Sequence, residues 1–401
     1  MVAVSGGSEA EKVGSVEARL DWLDGMKGIA ILWILFFHFF CTYEDGRLPW
    51  PLAPDYFASY EKSCAPHSLR SQALCFVSAA LTAVTKLGFH AVGVFLVLSG
   101  FGLSYSLAKI GNSADGWLGW YRTRVIRLFP MYWVAHLVYL VSPFQARLEP
   151  MDYRFILSIL GDRVVPIGTI FYYFNPALWF FGLILQLYVL FPVLFVALER
   201  WGVTCFLVVT AAVTFGARWV LLFAIPVSGE WVQGGFFACR LWEFAVGMAV
   251  GVLWRRRSAQ VGAVIFSRPG LLAGAALYAL GLYSYGRLWS YIFTEALIGT
   301  GLAIILAHVA RLLGHLPWLG AAMITVGTYS YGLYLVHQPY VLYFGARMRS
   351  LETPDFLVAA VGIVVILTFG AMTLERGVNR LTSRTLRFPL RGPAHAPSGS
   401  R

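Results

Sequence analysis

The amino-acid sequence predicts an all-α, polytopic membrane helix bundle of about ten transmembrane helices with both termini cytoplasmic. Three observations carry this expectation. Hydrophobic residues make up 58% of the 401-residue chain and charged residues only 13%, with a mean hydropathy of +0.68, whereas a soluble globule has about a quarter of its residues charged. The apolar residues come in runs of roughly 20, the length that crosses a hydrocarbon core of about 30 Å. The net charge of +11 sits in short loops and in the tail, a pattern that reads as membrane orientation and not as a nucleic-acid surface.

Taken in order, residues 1–20 are polar and lack an apolar core followed by a small-residue cleavage site, so the run 23–42 is expected to stay as the first span. Further apolar runs fall at 87–109, 127–143, 178–198, 203–225, 235–254, 269–286, 290–313, 320–345 and 354–376. Between the third and fourth runs, Arg154 to Pro176 carries Gly161, Asp162, Arg163 and Pro166 near its centre and reads as a re-entrant or surface segment. Leaving it out of the count keeps Arg255 to Arg257 and the arginine-rich tail on the side of the amino terminus, with most of the lysines and arginines. The division expected is a cytoplasmic segment 1–20, a membrane domain 21–378 and a disordered basic tail 379–401 rich in Pro, Gly and Ser. The longest loop, Tyr43 to Lys86, is external in this topology and holds Cys64 and Cys75, which either pair as a disulfide or remain two thiols. Cys41, Cys205 and Cys239 read as small packing residues. No repeat, metal-ligand spacing or phosphate-binding glycine loop is present, so neither a metal nor a permanently bound cofactor is expected.

Polar residues inside spans are costly, so they face protein or water and mark function. In LDGMKGIAILWILFFH, Lys27 and His38 are eleven residues apart, which brings them onto one stripe, roughly 16 Å apart along the axis. In CRLWEFAVGMAVG, Arg240, Glu243, Gly247 and Gly251 share a face, and the first two pair across one turn. YSYGLYLVHQP aligns Ser330, Tyr334 and His337, and LWFFGLILQLYVLFP aligns Trp179, Gly182 and Gln186. His38, Arg240, Glu243, Gln186 and His337 are therefore expected around a common external-side cavity. Lys27 with Arg124 and Arg127, from RTRVIRLFP, forms an inner rim suited to phosphates. Each feature also has a plainer reading. Arg124 and Arg127 are topology-setting cations, Arg240 and Glu243 a structural ion pair, His90, His136 and His308 interhelical hydrogen-bonders, and Ser99 in VLSGF a packing residue without a nucleophile elbow.

These motifs resemble the acyltransferase-3 family of multi-pass membrane acyltransferases, which acylate cell-envelope sugars and some small-molecule glycosides. LDGMKGIAILWILFFH, HAVGVFLVLSGF, RVIRLFPMYW, LWFFGLILQLYVLFP, RLWEFAVGMAVG and YSYGLYLVHQP follow one another in the family's order, from about Leu20 to Glu375. Two positions depart from it. Lys27 stands where the family usually has arginine, and Ile184 where it often has glutamate, a role for which Glu243 and Glu295 are the substitutes considered.

The resemblance implies an O-acyltransferase in the bacterial inner membrane, using cytoplasmic acyl-CoA, usually acetyl-CoA, and a carbohydrate, glycolipid or glycoside hydroxyl on the outer side. In this reading Lys27, Arg124 and Arg127 hold the CoA head. His38 takes the acceptor proton. Arg240, oriented by Glu243, supports the oxyanion, and His337 positions the acceptor or relays the proton. Gln186, Ser330 and Tyr334 contact substrate, and Gly182, Gly247 and Gly251 leave room beside the arm. The rival class is a transporter or flippase of a lipid-linked saccharide, which usually shows two similar halves that are not seen here.

Overall fold

The structure, a computed structural model, describes residues 20–46, 50–53, 55–64, 69–107, 114–143, 150–166, 168–225, 229–287 and 289–386. Among these there is no strand. Every long apolar run is helical, because a backbone that leaves water must satisfy its own hydrogen bonds.

Helix α1 (Asp21–Glu44) lies at the centre and contacts α3 (Leu69–Lys86), α4 (Ala91–Ser106), α10 (Tyr291–Gly314), α11 (Pro317–Thr328) and α12 (Ser330–Arg347). Its buried Met26, Ala30, Ile31, Ile34, Leu35, Phe39 and Phe40 point to several sides, as expected of a helix enclosed by others. α5 (Ala114–Val141) and α13 (Thr353–Leu386) pack on α12, and α7 (Trp179–Trp219) packs on α8 (Leu241–Ile265). α9 (Arg268–Ser284) runs beside α10. It starts where Ser267 Oγ accepts from the Gly270 amide at 3.0 Å, with proline in the first turn, a standard helix entry. α2 (Tyr56–Cys64) and α6 (Tyr153–Leu160) are short; eight residues extend about 12 Å, so α6 does not cross a membrane.

α4 and α8 approach closely through glycines. A Cβ on Gly100 would run into the Phe244 carbonyl, on Gly247 into that of Val97, and on Gly251 into that of Phe101. This is small-residue packing between membrane helices, and it replaces the expectation that Gly247 and Gly251 leave room for a ligand arm.

Among the described residues, seven helices are long and apolar enough to cross a membrane, or eight if a bent pair counts as one span. The ten expected runs differ from this in three places. Runs 178–198 and 203–225 follow one another without a loop and count there as one element, but at Gly202, with φ 77° and ψ 167°, the chain kinks between two helices, the division the sequence expects. Run 269–286 forms a helix of 17 residues. Run 320–345 breaks at Tyr329 into α11 and α12, bent by 81°. Cys75 is disulfide-bonded, while Cys41, Cys205 and Cys239 are free. Of the expected terminal segment 1–20 and disordered tail 379–401, residues 1–19 and those beyond Leu386 lie outside the described residues, while 379–386 continue helix α13.

Candidate active site

The break between α11 and α12 opens onto a cavity of about 600 Å³, within the size range of small-molecule sites. α1 contributes Lys27; α5 contributes Arg124, Arg127, Leu128 and Met131; α4 contributes Phe95, Ser99, Gly102 and Ser106. Ser330 and Tyr334 come from α12, and Glu375 and Asn379 from α13. The three predicted cations thus share one wall system although Lys27 lies 97 and 100 positions before the two arginines in sequence. Lys27 is held by Asp24 at 3.0 Å, and the Arg124 guanidinium lies over the Trp120 ring at 5.3 Å. Arg127 is exposed. These cations are lightly engaged and available to a ligand anion.

The far end of the cavity is apolar and aromatic. Phe95 and Phe180 meet edge to face at 6.3 Å, and Phe180 meets Tyr334 at 5.4 Å. Behind Tyr334 its ring touches His337 at 5.6 Å, and His337 in turn faces His38 at 5.3 Å between centroids. The two histidines therefore come together, as the sequence expects, while neither lines the cavity. Tyr334 is the partition between them and it.

Local chemistry fixes the His337 tautomer. Its Nδ1 lies 2.6 Å from the Tyr334 carbonyl, one turn back on α12, so Nδ1 carries the proton and donates it. Nε2 is then a lone pair, and it is buried without a hydrogen-bond partner. A buried bare acceptor of this kind is uncommon and points to a role in chemistry.

Arg240 and Glu243 form the expected pair, Nε to Oε1 at 2.7 Å. The pair is embedded in a larger buried assembly. Arg240 Nη1 also reaches Glu295 at 3.2 Å and the Gln233 carbonyl at 3.0 Å. Arg218, 1% exposed, donates to the carbonyls of Val232 and Tyr291 nearby. Arg240 packs toward α4, where its Nη2 would stand 3.4 Å from a Cβ at Gly93. None of Arg240, Glu243 and Glu295 lines the cavity.

Gln186 takes a different place from the one expected by the common outer cavity. Its Nε2 donates to the Gly235 carbonyl at 2.9 Å and its Oε1 accepts from the Phe237 amide at 3.1 Å. Trp179 and Gly182 on the same stripe meet Gly234 and the Arg163 side chain. That stripe docks the segments before α8 and around Arg163, so Gly182 makes room for arginine and not for a ligand. Phe180, Ile184 and Tyr188, at spacings of four, form the face of α7 that lines the cavity.

Three predicted packing histidines do hydrogen-bond between elements: His90 with Tyr278 at 3.0 Å, His136 with Ser158 at 2.8 Å and His308 with the Ile265 carbonyl at 2.8 Å. Ser99, read as packing, lines the cavity. Sequence reasoning also passed over Glu375 and Asn379. Their signal was two polar residues one turn apart at the end of the last apolar run, in LERGVN.

A family model described as an acyltransferase domain matches residues 20–375. The chain is similar to the acyltransferase MdmB of Streptomyces mycarofaciens, 26% identical over 300 residues that cover 69% of this chain and 74% of that protein. No solved structure matches.

Proposed function

The chain belongs to the acyltransferase-3 family, and from that premise we propose that it transfers an acyl group, acetyl in the simplest case, from acyl-CoA to a hydroxyl of an envelope glycan, glycolipid or glycoside. One observation carries the reading. A single cavity has Lys27, Arg124 and Arg127 on its walls and ends at Tyr334, with the His337 and His38 pair directly behind. Cations and an apolar end in one cavity suit a donor with phosphates at one extremity and a thioester at the other. In this proposal the cation-lined side and both termini face the cytoplasm of a bacterial inner membrane, which follows the positive-inside bias of the loops.

The CoA phosphates rest on Lys27, Arg124 and Arg127, and the arm runs along Ser106, Gly102 and Ser99 of α4. Gly102 presents no side chain to it, and a Cβ there would touch nothing within 4 Å. The Tyr334 ring swings aside to admit the thioester. The acceptor oxygen attacks the thioester carbon as its proton passes to His38; the tetrahedral intermediate collapses, the C–S bond breaks, and the departing sulfur takes the proton back. His337, with Nδ1–H anchored, offers Nε2 to the acceptor hydroxyl or to the proton in transit. Arg240, its charge taken up by Glu243 and Glu295 and its guanidinium off the cavity wall, belongs in this proposal to the framework that holds α8 against α10. Ser330 and Tyr334 contact the donor, and Gln186 acts on substrate through the loop it pins. Direct transfer needs no acyl-enzyme, since no described serine or cysteine bonds to either histidine of the pair.

Purified protein in detergent, given labelled acetyl-CoA and a glycoside acceptor, tests the proposal. Release of CoA coupled to label in the acceptor supports it. Saccharide transport into vesicles with no acyl-CoA binding or turnover would replace it with the transporter reading.

A further inference from the structure

Glu375 is the single carboxylate among the residues lining the cavity, which it shares with three cations. A surface meant only for phosphates gains nothing from it, because like charges repel. The residue is nevertheless closely fixed. Its Oε2 accepts the Gly332 amide at 2.9 Å, in the first turn of α12. The approach depends on glycine: a Cβ at residue 332 would stand 2.6 Å from Oε2 and 3.3 Å from both the Glu375 Cβ and the Met131 sulfur-bound methyl. Its other oxygen, Oε1, has no partner among the described hydrogen bonds. One turn on, Asn379 lines the same cavity. Between them in sequence, Arg376 donates to the Tyr329 hydroxyl at 2.7 Å and covers that ring at 4.9 Å, holding a cavity-lining aromatic in place.

A fixed acceptor, an amide that both donates and accepts, and a braced aromatic ring are the groups that recognise a nucleoside, whose amino and hydroxyl groups are donors and whose base is flat. We propose that Glu375 and Asn379, with Tyr329 beside them, read the nucleoside of the donor, and so select a complete nucleotide thioester over other phosphate-bearing molecules. This rests on the acyl-CoA reading above. It places the carboxylate that the cavity uses on α13, far from Ile184 in sequence but on the wall of the same cavity.

The test measures binding of coenzyme A and of 4′-phosphopantetheine, which lacks the nucleoside and the two phosphates attached to it, to the full-length protein in detergent. The wild type should favour coenzyme A. Glu375→Gln, which keeps an oxygen for the Gly332 amide but loses the charge, should weaken coenzyme A roughly tenfold or more while leaving phosphopantetheine almost unchanged. Asn379→Ala, at an exposed position, should give a smaller selective loss and carries the same comparison if the Glu375 variant fails to fold. Equal losses for both ligands would show that Glu375 only caps α12, and equal gains that it only offsets the cations; either overturns the inference while the donor reading stands. A wild type that binds neither ligand would overturn both.

Discussion

The molecule holds two sets of charges inside the bundle and treats them in opposite ways. Around Arg240 the ions are enclosed and paired: the guanidinium sits between Glu243, fully enclosed, and Glu295, and backbone carbonyls take further arginine donors, while Glu243 Oε2 and Arg218 Nε are left without a hydrogen bond. Around the cavity Lys27 has one partner, Arg124 lies against an indole, and Arg127 is exposed. Desolvating an ion is tolerable only when opposite charge is built in beside it, so the first set carries its counter-ions within the protein. The second set keeps its desolvation incomplete and its hydrogen bonds uncommitted, which is what a binding site for an outside anion requires. Pairing state, more than charge itself, separates framework from site.

The comparison breaks most readily at the histidines, which belong to neither set. His38→Ala should lower turnover by about 10² to 10⁴ with acyl-CoA binding nearly intact, measured by CoA release and by direct binding. Near wild-type turnover in a folded variant would mean that the cavity serves some other chemistry. Next in size is the framework itself. Glu243→Ala leaves Arg240 with Glu295 as its one carboxylate and should cost about 2 to 3 kcal/mol of stability, read as a drop in melting temperature. Arg124→Ala should leave the melting temperature close to wild type and weaken acyl-CoA about tenfold. If the two variants exchanged phenotypes, the division into framework and site would be reversed. A smaller effect sharpens the boundary between cavity and histidines: Tyr334→Ala should raise acceptor-independent loss of the acyl group several-fold by admitting water, whereas Tyr334→Phe should resemble wild type, with hydrolysis of labelled acetyl-CoA as the readout. The smallest change is expected of Lys27→Arg, which keeps the charge; its acyl-CoA affinity should fall within about twofold of the original. A large loss there would indicate that the ammonium's shape, and not only its charge, is read.

Much of the site was legible because helix periodicity is local. The alignment of Lys27 with His38, the Arg240 and Glu243 pair across one turn, and the stripe of Tyr334 and His337 follow from about 3.6 residues per turn and need no partner helix. Meeting across helices was harder to read. His38 and His337 were placed together from their common depth, and they do meet; Arg240 was placed with them by the same argument, but its bonded partners belong to a different assembly, reaching toward α4 at Gly93. Depth fixes one coordinate of a side chain in a bundle, whereas its direction around the helix axis is fixed by which neighbour packs there. The same holds for Gln186 and Gly182, whose stripe was correctly drawn but faces a docking segment.

The sequence by itself determined the solvent and the local geometry: a chain so apolar must lie in a membrane and satisfy its backbone in helices, and each helix must present its residues at the helical period. Only the tertiary structure decided which stripes became walls of the cavity and which became seams between helices. It brought Glu375 onto the same cavity as Lys27, placed Glu295 against Arg240, and used Gly247 and Gly251 to seat α8 on α4. The physical reason is that these contacts join segments far apart in the chain, through close packing whose outcome depends on the shapes of both surfaces, and no periodicity within one segment encodes the surface it will meet.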